Sequence, residues 1–498
     1  MGFRPRLALA VLSAQSTARL TRLLGLGYGS TLPGKVARTL DPQVLADLAG
    51  QVRRGRVMIT GTNGKTTITK LLSAILTESG AKVFYNRGGA NLVGGLTATF
   101  VLNASATGRL NADYALLETD EATMPKAAPA VRPQLILAND FFRDQLDRFG
   151  ELDSAVDSLR KAIPYLDPAG MLVINADDPQ CVQAGTVTDR PKLYYGLETT
   201  PVGPASGEPA GGPDAGEPGA GVAEPAAPAT PVASAADAVF CPVCHGRFIY
   251  RRRSYSHLGD WACTECDFRR PRPDVYAEQV ILKGMRGSHV VVVTPQGRLE
   301  LDLPLPGLYS VYNVLAAIAA AVALGAPLAA IAPAIARESG SFGRAEFFHL
   351  KDREGCLLLV KNPTGFNQVL ATLALDPDPK SLLFAINDRT ADGRDISWLW
   401  DVDLEQLWAH PEIAQRVYVT GDRAEDMAVR LKYSGPDRLA PEVVRPPEEA
   451  LYTALAAAAP GTTLYVLATY TAMLELWEVL RKTNAGDQRV RDERAPGS

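Results

Sequence analysis

The chain of 498 residues is long enough for two or three domains, each burying a core of its own. A net charge of −4 and a pI near 5.9 give no general attraction for a polyanion, so nucleic acid is not expected as a partner and any anion site must be local. Although 46 % of the residues are apolar, no run approaches the roughly 20 needed to cross a bilayer.

The first 52 residues read as a helical segment. Arg4 and Arg6 precede "LALAVLSA" in the manner of a signal peptide, but the sequence continues as "QSTARLTRLLGLG" with Arg19 and Arg22, and a basic amphipathic helix is expected instead. Such a helix either packs on the body or rests on an anionic membrane surface. From "RVMIT" (56–60) onward, apolar strand-like runs alternate with helical periods. "TTITKLLSAILTESG" sets Ile68, Leu71, Leu72, Ile75 and Leu76 on one helical face, and "KVFY", "YALLE", "LILAN" and "MLVIN" follow as strands. This pattern predicts a parallel sheet covered on both faces.

Between the first strand and the first long helix stands "GTNGKTT" (61–67), the context a phosphate-binding loop requires. Backbone N–H groups of Thr62, Asn63, Gly64, Lys65, Thr66 and Thr67 and the helix N-terminus would face phosphate oxygens. The Lys65 ammonium would neutralise the terminal phosphates and the Thr66 hydroxyl would ligate Mg²⁺. Later strands end in Glu118, Asp120 and Glu121, in Asn139 and Asp140, and in Asn175, Asp177 and Asp178. The carboxyl ends of parallel strands share one edge, so these groups are expected to converge on the loop, with Glu118 the best second Mg²⁺ ligand.

Gly196 to Ala238 is rich in Pro, Ala, Gly and Glu, holds no aromatic residue, and reads as a disordered linker at 196–238. Immediately after it, Cys241, Cys244, Cys263 and Cys266 form a C-x2-C-x18-C-x2-C pattern, that of a four-thiolate zinc ribbon over 239–272. Four thiolates leave no open coordination position, so Zn²⁺ there is expected to be structural. The remaining cysteines, Cys181 and Cys356, are isolated, and the usage as a whole implies a reducing, cytoplasmic location. A β-rich stretch and the helix "SVYNVLAAIAAAVALG" follow. From about Glu346 the alternation resumes in "CLLLVKN", "SLLFAIND", "RVYVTGD" and "TLYVLATY".

Four stretches in chain order, "GTNGKTT", "NADDP" (175–179), "GLYSVYNVLAA" (307–317) and "GRAE" (343–346), resemble the Mur ligase family of ATP-dependent peptide-bond formers over most of the chain. "LPGKVA", "NDFFRDQLDRFGELD" (139–153), the inserted ribbon, "KNPTGFNQV" (361–369) and "DGRDISWLWDVDLE" (392–405) are similar, more narrowly, to its MurT branch, the ligase-like subunits of lipid II isoglutaminyl synthases. The resemblance implies an α/β fold: a Mur ligase-like parallel-sheet ATPase domain (53–338) carrying the ribbon, then a smaller α/β C-terminal domain (339–484) and a frayed tail (485–498). It also implies that Asn313 and Arg344 help bind ATP and that Thr66 and Glu118 serve Mg²⁺. One departure stands out. Gln145, in "RDQLD", occupies a position where the amino-acid-adding relatives carry histidine, and no pocket for an incoming amino acid is legible, so the nucleophile is not expected to be an amino acid.

Such ligases convert a carboxylate to an acyl phosphate that an amine attacks. Here the resemblance implies the α-carboxyl of D-glutamate in the lipid II stem peptide, ammonia, and D-isoglutamine as product, formed at the inner face of the membrane. Ammonia must come from glutamine, and a glutaminase needs an activated cysteine with a histidine base. His245 and His257 lie in or beside the zinc ribbon, and His289, His349 and His410 stand near no suitable cysteine, so the glutaminase is expected to be a partner chain, which the resemblance identifies as GatD-like. In that resemblance Asp395 of "DGRD" orients the partner's histidine, with Trp398 and Trp400 helping to dock it. The rival readings are a Mur-like or folylpolyglutamate-like ligase adding an amino acid, and an ATP-binding zinc-ribbon module acting on nucleic acid, which the acidic pI disfavours.

Overall fold

Val57, Met58 and Ile59 are fully buried, as a strand inside a parallel sheet demands, and the first half of the molecule is layered around them. The computed structural model describes residues 4–23, 31–87, 89–143, 151–203, 238–338, 345–350, 353–376, 378–408, 414–435 and 441–482. Three helices lead in: α1 (Pro5–Leu23), α2 (Leu32–Leu40) and α3 (Val44–Ala49). After strand β1 (Gly55–Thr60) comes α4 (Lys65–Glu78), then β2 (Val83–Tyr85), β3 (Tyr114–Glu118), β4 (Leu135–Ala138), β5 (Met171–Asn175) and β6 (Lys192–Leu197). The ribbon contributes a separate hairpin, β7 (Phe248–Tyr255) and β8 (Leu258–Cys263). The chain then returns through β9 (Val275–Leu282), β10 (Ser288–Thr294) and β11 (Gly297–Leu303).

These strands, the hairpin excepted, make one nine-stranded sheet in the order β11-β10-β9-β6-β5-β4-β1-β3-β2. It is parallel from β2 to β9, and β10 and β11 extend it antiparallel. One face is covered by α4 and the helix Leu308–Ala323, whose Ile68, Leu71, Ile75, Val311, Leu315 and Ile318 share a core. The opposite face is covered by α1, α3 and the helices Val93–Asn103, Met124–Val131 and Glu151–Ala162. Helix α2 lies so close to Val93–Asn103 that a Cβ on Gly34 would sit 1.8 Å from the Gly94 carbonyl oxygen. The Pro/Ala-rich tract begins later than its composition suggests. Gly196 and Leu197 close β6, and Val202 bridges to Ile281 in the same sheet, because backbone pairing does not require a bulky side chain. Residues 204–237 and the tail expected at 485–498 lie outside the described residues.

The second sheet contains β12 (Ala345–Leu350), β13 (Arg353–Leu359), β14 (Lys380–Ala385), β15 (Ala414–Thr420), β16 (Glu442–Val443) and β17 (Thr463–Ala468). Its order is β12-β13-β17-β14-β15-β16, parallel throughout except for the edge strand β12. Trp398, expected to dock a partner, instead belongs to this half's core: it is 2 % exposed and its ring lies 6.2 Å from that of Phe366. Phe366, on the helix Pro363–Ala374, packs against the Trp398 ring, and burying so large an apolar surface there favours the inward position. Trp400, two residues on, points outward beside Tyr433 at 6.2 Å. Trp398→Ala should therefore cost about 3–5 kcal/mol of stability and Trp400→Ala no more than about 0.5 kcal/mol, as read by denaturant unfolding of the two variants.

Candidate nucleotide site and cysteine cluster

The loop between β1 and α4 is bolted to the end of β4. The Thr62 amide donates to the Asp140 carbonyl at 2.8 Å, the Asn63 amide to the Asp140 carboxylate at 2.7 Å, and Asn139 Nδ2 to the Asn63 carbonyl at 3.0 Å. The Thr62 hydroxyl closes a two-way exchange with Phe142, accepting its amide at 2.9 Å and donating to its carbonyl at 3.1 Å. Gly64 precedes the helix with φ of 80°, and a Cβ there would lie 2.0 Å from Asn313 Oδ1. Glycine is required both for the left-handed turn and for the approach of Asn313. The result is a rigid cradle that ends in the N-terminus of α4, where unpaired amides favour phosphate oxygens.

Lys65 Nζ contacts the Gly61 carbonyl and forms an ion pair with Glu121 at 3.0 Å. The Thr66 hydroxyl donates to Glu118 Oε2 at 2.8 Å. Glu118 is 7 % exposed, and its amide and carbonyl are both held by the Asn86 side chain, which fixes the strand end from which the carboxylate projects. Burial pushes the Asp120 carboxyl up, Glu121 adds to that, and Lys65 works against it. A hydroxyl and a carboxylate in contact, with further acids beside them, is a hard-oxygen donor set. It fits Mg²⁺, which takes one or two protein carboxylates and completes its shell with water and phosphate.

Other elements reach the same place. Asn139 Oδ1 accepts the Tyr195 hydroxyl at 2.7 Å, and Asn313, 3 % exposed on the helix Leu308–Ala323, comes within 3.5 Å of Asn139 Nδ2. From the second half of the chain, Asn362 Nδ2 donates to Asn63 Oδ1 at 3.3 Å, and Lys361 Nζ approaches the Thr62 carbonyl at 3.5 Å. Neither residue has a role assigned from the sequence; a Lys-Asn pair at the carboxyl end of an apolar strand is the signal for one. Arg344, Gln145 and His410 lie outside the described residues.

Not every strand-end acid turns toward the loop. Asp177 is fully buried against Arg270 (2.7 Å), the Tyr312 hydroxyl (2.6 Å) and the Leu197 amide (3.0 Å). Burial pushes its carboxyl up and the Arg270 charge opposes that. Asp178 accepts the Phe141 amide at 2.7 Å, caps the helix Pro179–Gly185, and lies 3.4 Å from His257 Nε2. The expected convergence therefore holds for Glu118, Glu121, Asn139 and Asp140, while Asp177 and Asp178 receive the ribbon. Trp261, 1 % exposed, donates to the Ala176 carbonyl at 3.1 Å. The hairpin tip sets Tyr255 and His257 against Phe142, with ring centroids at 5.9 and 4.8 Å, and Tyr255 against Tyr312 at 5.7 Å.

The four cysteines meet at the other end of the ribbon. Cys241 and Cys266 sulfurs are 3.8 Å apart, Cys244 and Cys263 are 3.4 Å apart, and all four lie within 4.8 Å of one another. Sulfurs at the corners of a tetrahedron with metal–sulfur bonds of about 2.3 Å would be roughly 3.8 Å apart, so the cluster fits a tetrahedral metal. Amides of Val243, Gly246 and Glu265 point at the sulfurs of Cys241, Cys244 and Cys263, stabilising thiolate charge.

The aspartates of 387–403 divide their work. Asp388 pairs with Arg423 at 2.7 Å, buried Asp392 accepts the Thr471 amide at 2.7 Å, and the Asp403 amide donates to Asn367 at 2.8 Å. Asp395 is half-buried, and its Oδ1 accepts the Ser397 amide at 2.8 Å. Among the described residues its second oxygen has no hydrogen-bond partner. The phosphate loop and Asp395 are thus carried by different sheets. The helix Pro363–Ala374 touches both regions, through its cap Asn362 at the loop and through Asn367 and Phe366 beneath the aspartate stretch.

Comparison with known proteins agrees with this construction. A model of the Mur ligase middle domain matches residues 59–203 and one of the MurT ligase C-terminal domain matches 359–473. The chain is 34 % identical over 481 residues to the Streptococcus pneumoniae R6 protein named lipid II isoglutaminyl synthase (glutamine-hydrolyzing) subunit MurT, covering 94 % of this chain and 95 % of that protein. This chain belongs to the MurT family. Its likeness to the MurT of Staphylococcus aureus N315 is 28 % over 481 residues, covering 96 % of this chain and 99 % of that protein. A pseudomurein peptide ligase type C from Methanothermus fervidus shares the fold at a TM-score of 0.60 and 21 % identity, over 87 % of this chain and 80 % of that one. The MurT C-terminal match takes in Lys361, Asn362 and the whole aspartate stretch, and the middle-domain match takes in the loop, Glu118 and Asp140.

Lys65→Ala should leave the fold intact and lower phosphoryl transfer by at least about 100-fold, as measured by ADP release. Tyr255→Ala, which removes the ribbon tip from Phe142, should weaken nucleotide binding about tenfold, and Cys263→Ser should do the same together with a loss of bound metal. Calorimetric titration with a non-hydrolysable ATP analogue and metal analysis of the purified variants check both.

Proposed function

We propose that the chain is the ligase subunit of a lipid II isoglutaminyl synthase. It would use ATP to amidate the α-carboxyl of D-glutamate in the lipid II stem peptide, with ammonia released from glutamine by a GatD-like partner. The observation that carries this reading is the assembled phosphate cradle in a chain whose own thiols cannot serve glutamine hydrolysis. Cys181 and Cys356 are fully buried, and burial pushes both thiols far up, aided by Asp178 and Asp140 for the first and by Glu346 for the second. The sulfurs of the other four cysteines lie within 4.8 Å of one another, an arrangement that would hold a metal. A thiol held protonated and out of solvent is not a nucleophile.

In the proposed reaction a carboxylate oxygen of the substrate attacks the γ-phosphorus of ATP, ADP departs, and an acyl phosphate remains. Ammonia then adds to the acyl carbon and inorganic phosphate leaves as the amide forms. The loop amides and the N-terminus of α4 bind the phosphates, and Lys65 exchanges its contacts with Gly61 and Glu121 for phosphate oxygens. Thr66 and Glu118 would hold Mg²⁺, which neutralises charge on the phosphates. Zn²⁺ in the four cysteines would fix the ribbon whose tip braces Phe142. Asn362 and Lys361 bring the second half of the chain to the cradle, where the acyl group must meet ammonia.

Asp395 supports a shared site with the partner. Its Oδ1 is anchored on the Ser397 amide, and its other oxygen is open to accept an N–H from an incoming imidazole, enforcing the tautomer that activates a cysteine. With the partner present, Asp395→Asn should leave complex formation and ATP binding unchanged and cut glutamine hydrolysis by roughly 10³–10⁴-fold. Ammonium at high concentration should restore amidation. Glutaminase and amidation assays on the complex decide the matter. Unchanged glutamine hydrolysis would remove Asp395 from the site, and incorporation of an amino acid in place of ammonia would overturn the amidation reading.

A further inference from the structure

Helix α1 buries one side and presents the other, also apolar, to solvent. Leu7, Ala10, Val11, Ala14 and Ala18 pack into the body, whereas Leu9, Leu12, Leu20 and Leu23 are 56, 46, 57 and 84 % exposed. Positions 9, 12, 16, 20 and 23 recur at intervals of three and four. At 3.6 residues per turn the leucines, with Ser16 among them, therefore form one stripe opposite the buried side. Arg19 borders that stripe and Arg22 lies a quarter-turn beyond it.

Charge is segregated in the same part of the sequence. The first forty residues hold Arg4, Arg6, Arg19, Arg22, Lys35 and Arg38 and no Asp or Glu, a charge of +6 in a chain whose total is −4, so the remainder carries −10. Arg4 pairs with Asp47 and Arg6 Nε donates to the Leu40 carbonyl. Among the described residues, Arg19, Arg22, Lys35 and Arg38 form no ion pair. No helix among the described residues is long and apolar enough to cross a membrane.

We propose that α1 seats the chain on an anionic lipid surface, its leucines entering the boundary between headgroups and acyl chains and its arginines facing lipid phosphates. A second copy of the chain is a poor occupant, since a twofold contact through the stripe would bring Arg19 and Arg22 of one copy toward those of the other, with no acid on the helix to offset them. A protein partner fits less well too: the exposed apolar residues of the stripe are all leucine, whereas interface anchors favour Trp and Tyr. Leucine flanked by arginine, without acids, is the composition that an extended anionic surface selects.

The inference stands apart from the amidation reading, because none of these residues touches the phosphate loop or Asp395. Its test is sedimentation of the full chain with vesicles of phosphatidylcholine containing phosphatidylglycerol, against vesicles of phosphatidylcholine alone. The expected result is binding about tenfold tighter to the anionic vesicles, with the preference lost in about 0.5 M salt. Leu9→Gln with Leu20→Gln should reduce binding to both vesicles. Arg19→Glu with Arg22→Glu should abolish the anionic preference. Both double variants should keep the wild-type melting temperature, since the positions are exposed. No binding to the anionic vesicles would overturn the proposal, as would binding that both double variants retain. A concentration-dependent dimer on size exclusion that the leucine variant loses would assign the stripe to a second copy instead. Amidation of detergent-solubilised substrate by the same variants should be unchanged, which keeps the functional reading separately testable.

Discussion

A single residue, Asp140, holds the phosphate loop in shape. Asp140 receives the Asn63 amide on its side chain and the Thr62 amide on its carbonyl, so the turn after β1 is fixed by the end of β4 rather than by its own short sequence. The neighbours inherit that order. Asn139 spends its amide on the Asn63 carbonyl and its oxygen on Tyr195, and Phe142 trades two hydrogen bonds with Thr62. Each bond is worth about 1 kcal/mol net, yet together they hold the cradle in one geometry before any ligand arrives. The advantage is preorganisation, the part of binding that need not be supplied by the ligand.

What the sequence made legible follows from how local each signal is. A strand, a glycine-rich turn and an amphipathic helix lie within two dozen residues of one another, so β1, the loop and α4 could be read directly. The four cysteines are likewise fixed by spacing, and their sulfurs meet. Pairing of Thr66 with Glu118 crosses 52 positions, but both stand at strand or helix ends on the same sheet edge, which topology alone predicts. Three things escaped. Asp177 and Asp178 look like the other strand-end acids in a sequence, and only the ribbon's docking diverts them to Arg270 and His257. Trp398 and Trp400 look alike too, and which faces inward depends on how Phe366 approaches. The part played by Lys361 and Asn362 depends on the placement of one sheet against the other, for which a linear pattern holds no signal.

Between the two sheets, the helix Pro363–Ala374 has contacts in both directions. Its cap reaches Asn63, its first turn packs Phe366 under Trp398, and Asn367 takes the Asp403 amide. A rigid helix with few internal degrees of freedom transmits position without needing to change shape. The cradle and the aspartate stretch therefore share one frame, although they are built from separate cores and more than 300 residues separate them in the sequence.

The ribbon sits inside the crossover from β6 to β9, two parallel neighbours, and this bears on the order in which the molecule can assemble. Tyr195 pairs with Val275, so the far edge of the sheet closes only after the chain has returned from the whole excursion, the four-cysteine ribbon included. Closing a loop costs entropy that rises only with the logarithm of its length, about 0.6 kcal/mol per doubling, so the proline- and alanine-rich stretch within it adds little to the equilibrium. Its effect falls on rate. A long-range parallel pairing is slow to find, and docking Trp261 onto Ala176 at the end of β5 shortens the remaining search. The docked ribbon thereby divides one large loop into two smaller ones.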